Sequence, residues 1–369
     1  MNHHHLSLIL LSHHLFQSAF EMYDAKYALT ARKHCPPSFD EIRHILNIAQ
    51  VMSSGQSIKL ISFDGDQTLY SDGQNFEKNE RLAKSIIDLI QIGVRVSVIT
   101  AAGYGLEANK YETRLRGLLD YFSTFNLTEE EVSRFYVFGG ECNYLLQCFF
   151  IEGSFGKKVA KLHPIDPKVW QSEIFDGPKP SQWPQTQIDQ ILNTAEKTMI
   201  ETVQQLRLRA KVLRKDRAVG VYPGGQEMIS VYPKGKGHGH RKLKYEALEE
   251  ICFRVMGDLY NIEPKITIPY CVFNGGNDAW LDIGNKRNGM SALQSYFGLK
   301  KDECLHFGDQ FLTTGNDIAA RETSPCIWIN SPSETAKVLE YLIEFMPDDR
   351  NSFIVTDKHF CIWRPKAKP

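Results

Sequence analysis

The stretch Ile61–Gly73 reads ISFDGDQTLYSDG. An apolar run stops abruptly at Asp64-Gly65-Asp66, with Thr68 and Asp72 following. A short β-rich run that ends on turn-forming residues reads as a strand meeting a loop. One or two acids there would serve solubility. Three acids and two glycines directly after the strand ask for a cation or a reaction.

Working outward, IKLISF (58–63) is a strand, KNERLAKSIIDLIQIG (78–93) is a helix closed by Gly93, and VRVSVIT (94–100) is a second strand. This βαβ unit predicts a parallel sheet. The same alternation returns late in the chain. NKRNGMSALQSYFGL, ECLHFGDQ, DIAARET, PCIWIN and SETAKVLEYLIEFM read as helix, strand, helix, strand and helix. Roughly 110–270 differ in character: polar helices, the Pro-rich DGPKPSQWPQ, and RAVGVYPGGQEMISVYP as paired strands around a Gly-Gly turn. The expected architecture is α/β: a Rossmann-like core (58–110 and 271–369) with an inserted α/β cap (111–270). It is preceded by a helical segment over 1–57. In that segment SFDEIRHILNIAQVM places Phe39, Ile42, Ile45, Leu46 and Ile48 near helical spacing, with Ser38 as N-cap before Glu41. SSGQS (53–57) is a linker, and the basic KGKGHGHRKLK (234–244) reads as a solvated loop.

A net charge of −1 argues against broad attraction to nucleic acid or anionic lipid. A small anionic substrate therefore needs its own local cation. The eight cysteines contain no CxxC pair and read as reduced thiols of a cytoplasmic protein. The leading MNHHHLSLILLSHHLF lacks an early Lys or Arg and reads as a helix, not a signal peptide. No segment has the apolar length of a membrane span.

Four segments bring polar groups to the ends of predicted strands, the edge where open α/β sheets bind ligands. They carry Asp64, Asp66 and Thr68; then Thr100; then Lys286; then Gly308-Asp309. Each alone is weak: Thr100 also suits a helix cap, Lys286 a surface, Asp309 a turn. Their order and shared position make the signal. Together they resemble the four motifs of the haloacid dehalogenase superfamily of phosphohydrolases. That resemblance implies Asp64 as nucleophile and Asp66 as proton donor and later base. Thr100 would bind phosphoryl oxygens, and Lys286 would neutralise the nucleophile–phosphate cluster. Mg²⁺ would sit on Asp64, the main-chain carbonyl of Asp66 and Asp309, with Asp317 orienting that site.

FDGDQTLYSDG, VITAAGYG, YETRLRGLLDYF, FGGECNYLL, CVFNGGNDAWLDIGNKRNGM and GDQFLTTGND are similar to strings of the IMP-specific 5′-nucleotidases, as is KHCPPSFDEIRHILNIAQ upstream. This resemblance implies hydrolysis of inosine 5′-monophosphate through an aspartyl-phosphate in purine salvage, with a phosphotransferase side activity. It implies Asp66, Asp72, Thr100, Asp282 and Lys286 as nucleotide contacts, and an aromatic-rich cap that reads the base. Asp278 is either a further contact or a turn former. Tetrameric assembly and ATP activation are implied too, with His44 and Arg114 as candidate effector residues. The plainer alternatives are that His44 packs on its helix and Arg114 pairs with Glu112 or a neighbouring acid. Two other readings remain at this stage: a capped phosphatase or phosphomutase acting on sugar phosphates, and a non-catalytic nucleotide sensor. The intact Asp64, Asp66, Lys286 and Asp309 speak against the sensor.

Overall fold

The computed structural model describes residues 13–153, 156–171, 179–224, 243–262 and 266–346. The opening stretch forms β1 (Leu60–Phe63), every residue of which is buried. Ile61 and Phe63 point to one face, where helices cover them; Leu60 and Ser62 point to the other. The strand is apolar throughout because both faces of a parallel sheet are covered.

β1 lies in a seven-stranded sheet. The other parallel strands are β2 (Arg95–Ile99), β3 (Phe135–Gly139), β10 (Cys304–Gly308) and β11 (Cys326–Trp328). The order is β11-β10-β1-β2-β3, continued antiparallel by β4 (Tyr144–Glu152) and β5 (Lys158–Pro164). One face packs on α3 (Glu80–Gln91), α5 (Arg116–Thr124) and α11 (Pro332–Phe345) through Ile86, Phe122 and Leu339. The other packs on α10 (Lys286–Phe297) through Met290 and Leu293. Each such fully buried apolar side chain contributes about 1.5–3 kcal/mol.

A second sheet of four antiparallel strands has the order β6-β7-β9-β8. It comprises β6 (Ala210–Lys215), β7 (Ala218–Pro223), β8 (Tyr270–Asn274) and β9 (Ala279–Ile283). The helices α8 (Gln185–Gln205) and α9 (Tyr245–Tyr260) cover it and share its core. Sheet membership departs from the expected division at 111 and 270. The run FYVFG, expected in the cap, is β3 of the large sheet, and CVFNGGNDAWLDIG, expected in the core, supplies β8 and β9 of the small one. Both are short apolar runs whose composition does not say which sheet they join. Of the Gly-Gly turn expected after β7, only Gly224 is described; Gly225 and the strand beyond it lie outside the described residues.

At the N-terminal end, α1 (His13–Tyr27) and α2 (Phe39–Ser54) pack together. Ser38 and Glu41 form the capping box that the sequence predicts. Of the expected apolar stripe, Ile45 and Ile48 are buried while Phe39, Ile42 and Leu46 are exposed. The segment is fastened to the large sheet's layer by Arg43, whose Nη1 lies 2.7 Å from Glu334 of α11.

Candidate active site

The ends of β1, β2, β3 and β10 meet at one edge of the large sheet, and the small sheet faces them across a cleft of about 540 Å³. Asp64 follows β1 and is buried; its Oδ1 lies 2.7 Å from Nζ of Lys286. Lys286 is the first residue of α10, reached through Gly284 and Asn285 from the small sheet's β9, so the lysine is delivered by the cap's return to the core.

Lys286 is fully buried, and all three of its N–H bonds are used. Besides Asp64 it donates to Asp317 Oδ1 at 2.6 Å and Asn316 Oδ1 at 3.1 Å. Burial alone would lower its pKa, but Asp317, Asp64 and Glu141 together hold it well above the usual lysine value. Asp317 is saturated: its Oδ1 also receives His306 Nε2 at 2.8 Å, and its Oδ2 accepts the backbone N–H groups of Asp309 and Gln310. Burial pushes its pKa up, yet Lys286 and His306 outweigh that and leave it far below the ordinary carboxylate range. Since Asp317 only accepts, His306 carries its hydrogen on Nε2 and receives Ser62 Oγ, 2.8 Å away, at Nδ1.

Asp309 contrasts with this. Its buried Oδ1 has no hydrogen-bond partner among the described residues. Burial first, then Asp64 and Asp317, push its pKa up to about 9; burial likewise raises Asp64 to about 7. Carboxylate oxygens of Asp64, Asp309 and Asp317 lie within 4.8 Å of one another. Asp64 and Asp309 have acceptor capacity to spare, whereas Asp317 has none, so it orients the cluster. An oxygen-only donor set, crowded acids and an orphaned carboxylate oxygen fit a hard divalent cation such as Mg²⁺.

The remaining expected residues are distributed around the same cleft. Asp66 faces it with both oxygens on Arg114 Nη2, and the N–H of Gly73 donates to its Oδ1 at 2.9 Å. Asp72 accepts from the amide of Asn277, which joins the loop after β1 to the small sheet's β8–β9 turn. Thr100 is buried at the end of β2; its Oγ1 accepts the Ala102 N–H, leaving the hydroxyl hydrogen to donate. Asp282 lies on β9, raised well above the carboxylate range by burial and Glu141, and Asp278 lies near it on the cleft wall.

The two expected effector residues are not brought together. Arg114 is at the cleft, held by Asp66 and by the face of Tyr70, 4.9 Å from its ring centre. Its acid partner is Asp66; Glu112, one of the acids offered in the plainer alternative, accepts from Lys161 instead. His44 lies on α2 in a separate pocket of about 310 Å³, 2.9 Å from Glu334 and 3.3 Å from the Tyr23 hydroxyl. Sequence reasoning missed Glu141 and Asn316, both buried around Lys286. A lone acid in the apolar context FGGEC was the available signal for Glu141.

The sequence profile of the IMP-specific 5′-nucleotidases matches residues 10–339. The chain belongs to that family. Within the IMP-specific 5′-nucleotidases, a Plasmodium falciparum relative is 36% identical over 327 residues, covering 88% of this chain and 68% of the relative. A solved structure of the N-terminally truncated, IMP-bound P. falciparum IMP-nucleotidase superposes with a TM-score of 0.77 at 35% identity, covering 89% of this chain and 80% of that one. The ATP-bound P. falciparum enzyme gives 0.73 at 35% identity, with 92% and 72% covered. As an IMP-specific 5′-nucleotidase family member, the chain is a phosphoric monoester hydrolase, built as an α/β large-sheet core faced by a second, smaller sheet.

Proposed function

We propose that this enzyme hydrolyses inosine 5′-monophosphate to inosine and phosphate with Mg²⁺ bound at Asp64, Asp309 and the main-chain carbonyl of Asp66. The observation that carries the reading is the Asp64–Lys286 pair beside Asp309, opening on a cleft of nucleotide size in a chain similar to an IMP-bound enzyme. Aromatic side chains on the cleft wall, Tyr104, Tyr144, Phe273 and Trp280, suit a purine and favour it over a bare sugar phosphate.

Asp64 Oδ attacks phosphorus as the bond to the nucleoside O5′ breaks, and Asp66 delivers the proton that O5′ takes up. Asp66 then removes a proton from the water that attacks phosphorus of the aspartyl-phosphate, returning Asp64 and releasing phosphate. Lys286 and the Thr100 hydroxyl meet the negative charge that gathers on the phosphoryl oxygens. Mg²⁺ held by Asp64, Asp309 and the main-chain carbonyl of Asp66 would supply charge neutralisation at the reacting phosphate. Asp72 accepts from a ribose hydroxyl, Asp282 contacts the nucleotide, and a nucleoside hydroxyl in place of water gives the phosphotransferase side activity.

ATP binds in the pocket of His44, Arg43, Lys337 and Tyr341, where cations and aromatic rings adjoin, and activates the enzyme from there. A homotetramer acting in the cytoplasm completes the proposal; the seven described cysteines are all free thiols, in keeping with a reducing compartment. Among the described residues no helix is long and apolar enough to cross a membrane. Trapping the phosphorylated enzyme with borohydride tests the chemistry. Reduction at Asp64 after exposure to IMP is expected; reduction elsewhere, or none, would overturn the assignment.

A further inference from the structure

At the end of β3 the chain turns through three consecutive left-handed residues, Gly140, Glu141 and Cys142, with φ of 60°, 47° and 72°. Only glycine adopts that region freely, so the second and third positions are strained. The turn is held in place: Gly140 and Glu141 donate their N–H groups to the carbonyls of Ala102 and Thr100. Asn143 donates to the carbonyl of Ile283, at the cap's return to Lys286, 2.7 Å away. The turn delivers the Glu141 carboxylate, with no exposure at all, into the interior beneath Lys286.

A buried carboxylate on a strained backbone costs stability twice, and it is retained where something depends on it. One oxygen, Oε1, accepts the Asn316 amide at 2.9 Å; the other has no hydrogen-bond partner among the described residues. Asn316 in turn presents its Oδ1 to Lys286. An asparagine amide can point its oxygen or its NH₂ either way at little cost of shape. A carboxylate that only accepts forces the NH₂ toward itself, and so aims the oxygen at the ammonium.

We infer that Glu141 is a positioning residue: through Asn316 it fixes the third acceptor of Lys286 and so holds that lysine on Asp64. The inference rests on the reading of Lys286 as the cation paired with the nucleophile. Without Glu141 the Asn316 amide is free to turn its NH₂ toward the ammonium, and Lys286 loses one of its three anchors.

The test is a reciprocal exchange read by kcat and KM for IMP. Asn316→Asp keeps an acceptor facing Lys286 but sets a second carboxylate against Glu141, and kcat is expected to fall by at least about tenfold with KM changed by less than about threefold. Adding Glu141→Gln lets the new amide donate across the same gap, and the double variant is expected to recover to within about threefold of the wild type. A double variant no better than Asn316→Asp, or a single Asn316→Asp at wild-type kcat, would overturn the inference. Lys286→Met is the control: if it retains activity, the reading of Lys286 has failed; if it is inactive while the exchange shows no rescue, only the role of Glu141 has failed.

Discussion

Nη2 of Arg114 lies 3.0 and 3.1 Å from the two carboxylate oxygens of Asp66, while Nη1 of the same guanidinium donates to the carbonyl of Gln74 at 2.7 Å. One side chain thus orients the proposed proton donor and fastens the loop that carries Asp66 and Asp72. Arg114→Ala is expected to lower kcat for IMP by about 10- to 100-fold, as loss of a positioned acid–base group does. The loss should be the same with and without ATP. A variant with normal kcat and an altered ATP response would return Arg114 to the effector role.

His44 tests the other half of that division. It touches Glu334 and Tyr23 and none of the cleft residues. His44→Ala should leave the basal rate within about twofold, as surface-pocket changes do, while weakening stimulation by ATP. Rates measured over an ATP titration decide it; full stimulation in the variant would remove ATP from this pocket.

Gly308 precedes Asp309, and a Cβ placed there would collide with the Asp317 carboxylate. Gly308→Ala must therefore push Asp317 off Lys286 and His306. The expected result is at least about a tenfold loss of kcat with about 1–3 kcal/mol of destabilisation, read by steady-state kinetics and urea melts. An unperturbed variant would contradict the role given to Asp317.

The acid cluster makes a prediction about pH. Without a cation, Asp64 and Asp309 have folded pKa values raised by burial to about 7 and about 9 from an ordinary 3.8. The folded protein then holds protons that the unfolded chain has released, so their contribution is full below the ordinary value and is lost as pH rises through those two values. Asp317, lowered by Lys286 and His306, works the other way and its contribution fades only in acid. Melting temperature in EDTA should fall between about pH 6 and pH 8.5, and millimolar Mg²⁺ should raise it more at the higher pH, where Asp64 is deprotonated and less proton release from Asp309 is needed. An equal Mg²⁺ effect at both values would count against the site.

Much of this site is legible in the sequence because its chemistry sits on local grammar. β1 and β2 are apolar runs bounded by turns, and Asp64, Thr100 and Asp309 follow strands directly, so a pattern of runs and breaks locates them. What was not legible depends on pairing between distant segments. FYVFG and AWLDI are both short, buried, largely apolar runs, and only their hydrogen-bond partners decide that one extends the large sheet and the other the small. Arg114 and Asp66 are 48 residues apart, and Glu141 and Asn316 are 175 apart. The lone acid in FGGEC marks Glu141 as unusual, but nothing local there or in YETRLRG says which distant residue it meets. The exposed Phe39, Ile42 and Leu46 make the same point in reverse: helical spacing identified the helix but not which of its faces the protein buries.

The measurement that tests the account most directly is phosphate release with Mg²⁺ from IMP, AMP, GMP and ribose 5-phosphate side by side, for the wild type and for Asp64→Asn. The account predicts strong preference for IMP in the wild type and at least about a 10³-fold loss of turnover in the variant, with IMP still bound. Comparable rates on all four substrates would make the protein a general capped phosphatase, and turnover surviving in Asp64→Asn would contradict the mechanism itself.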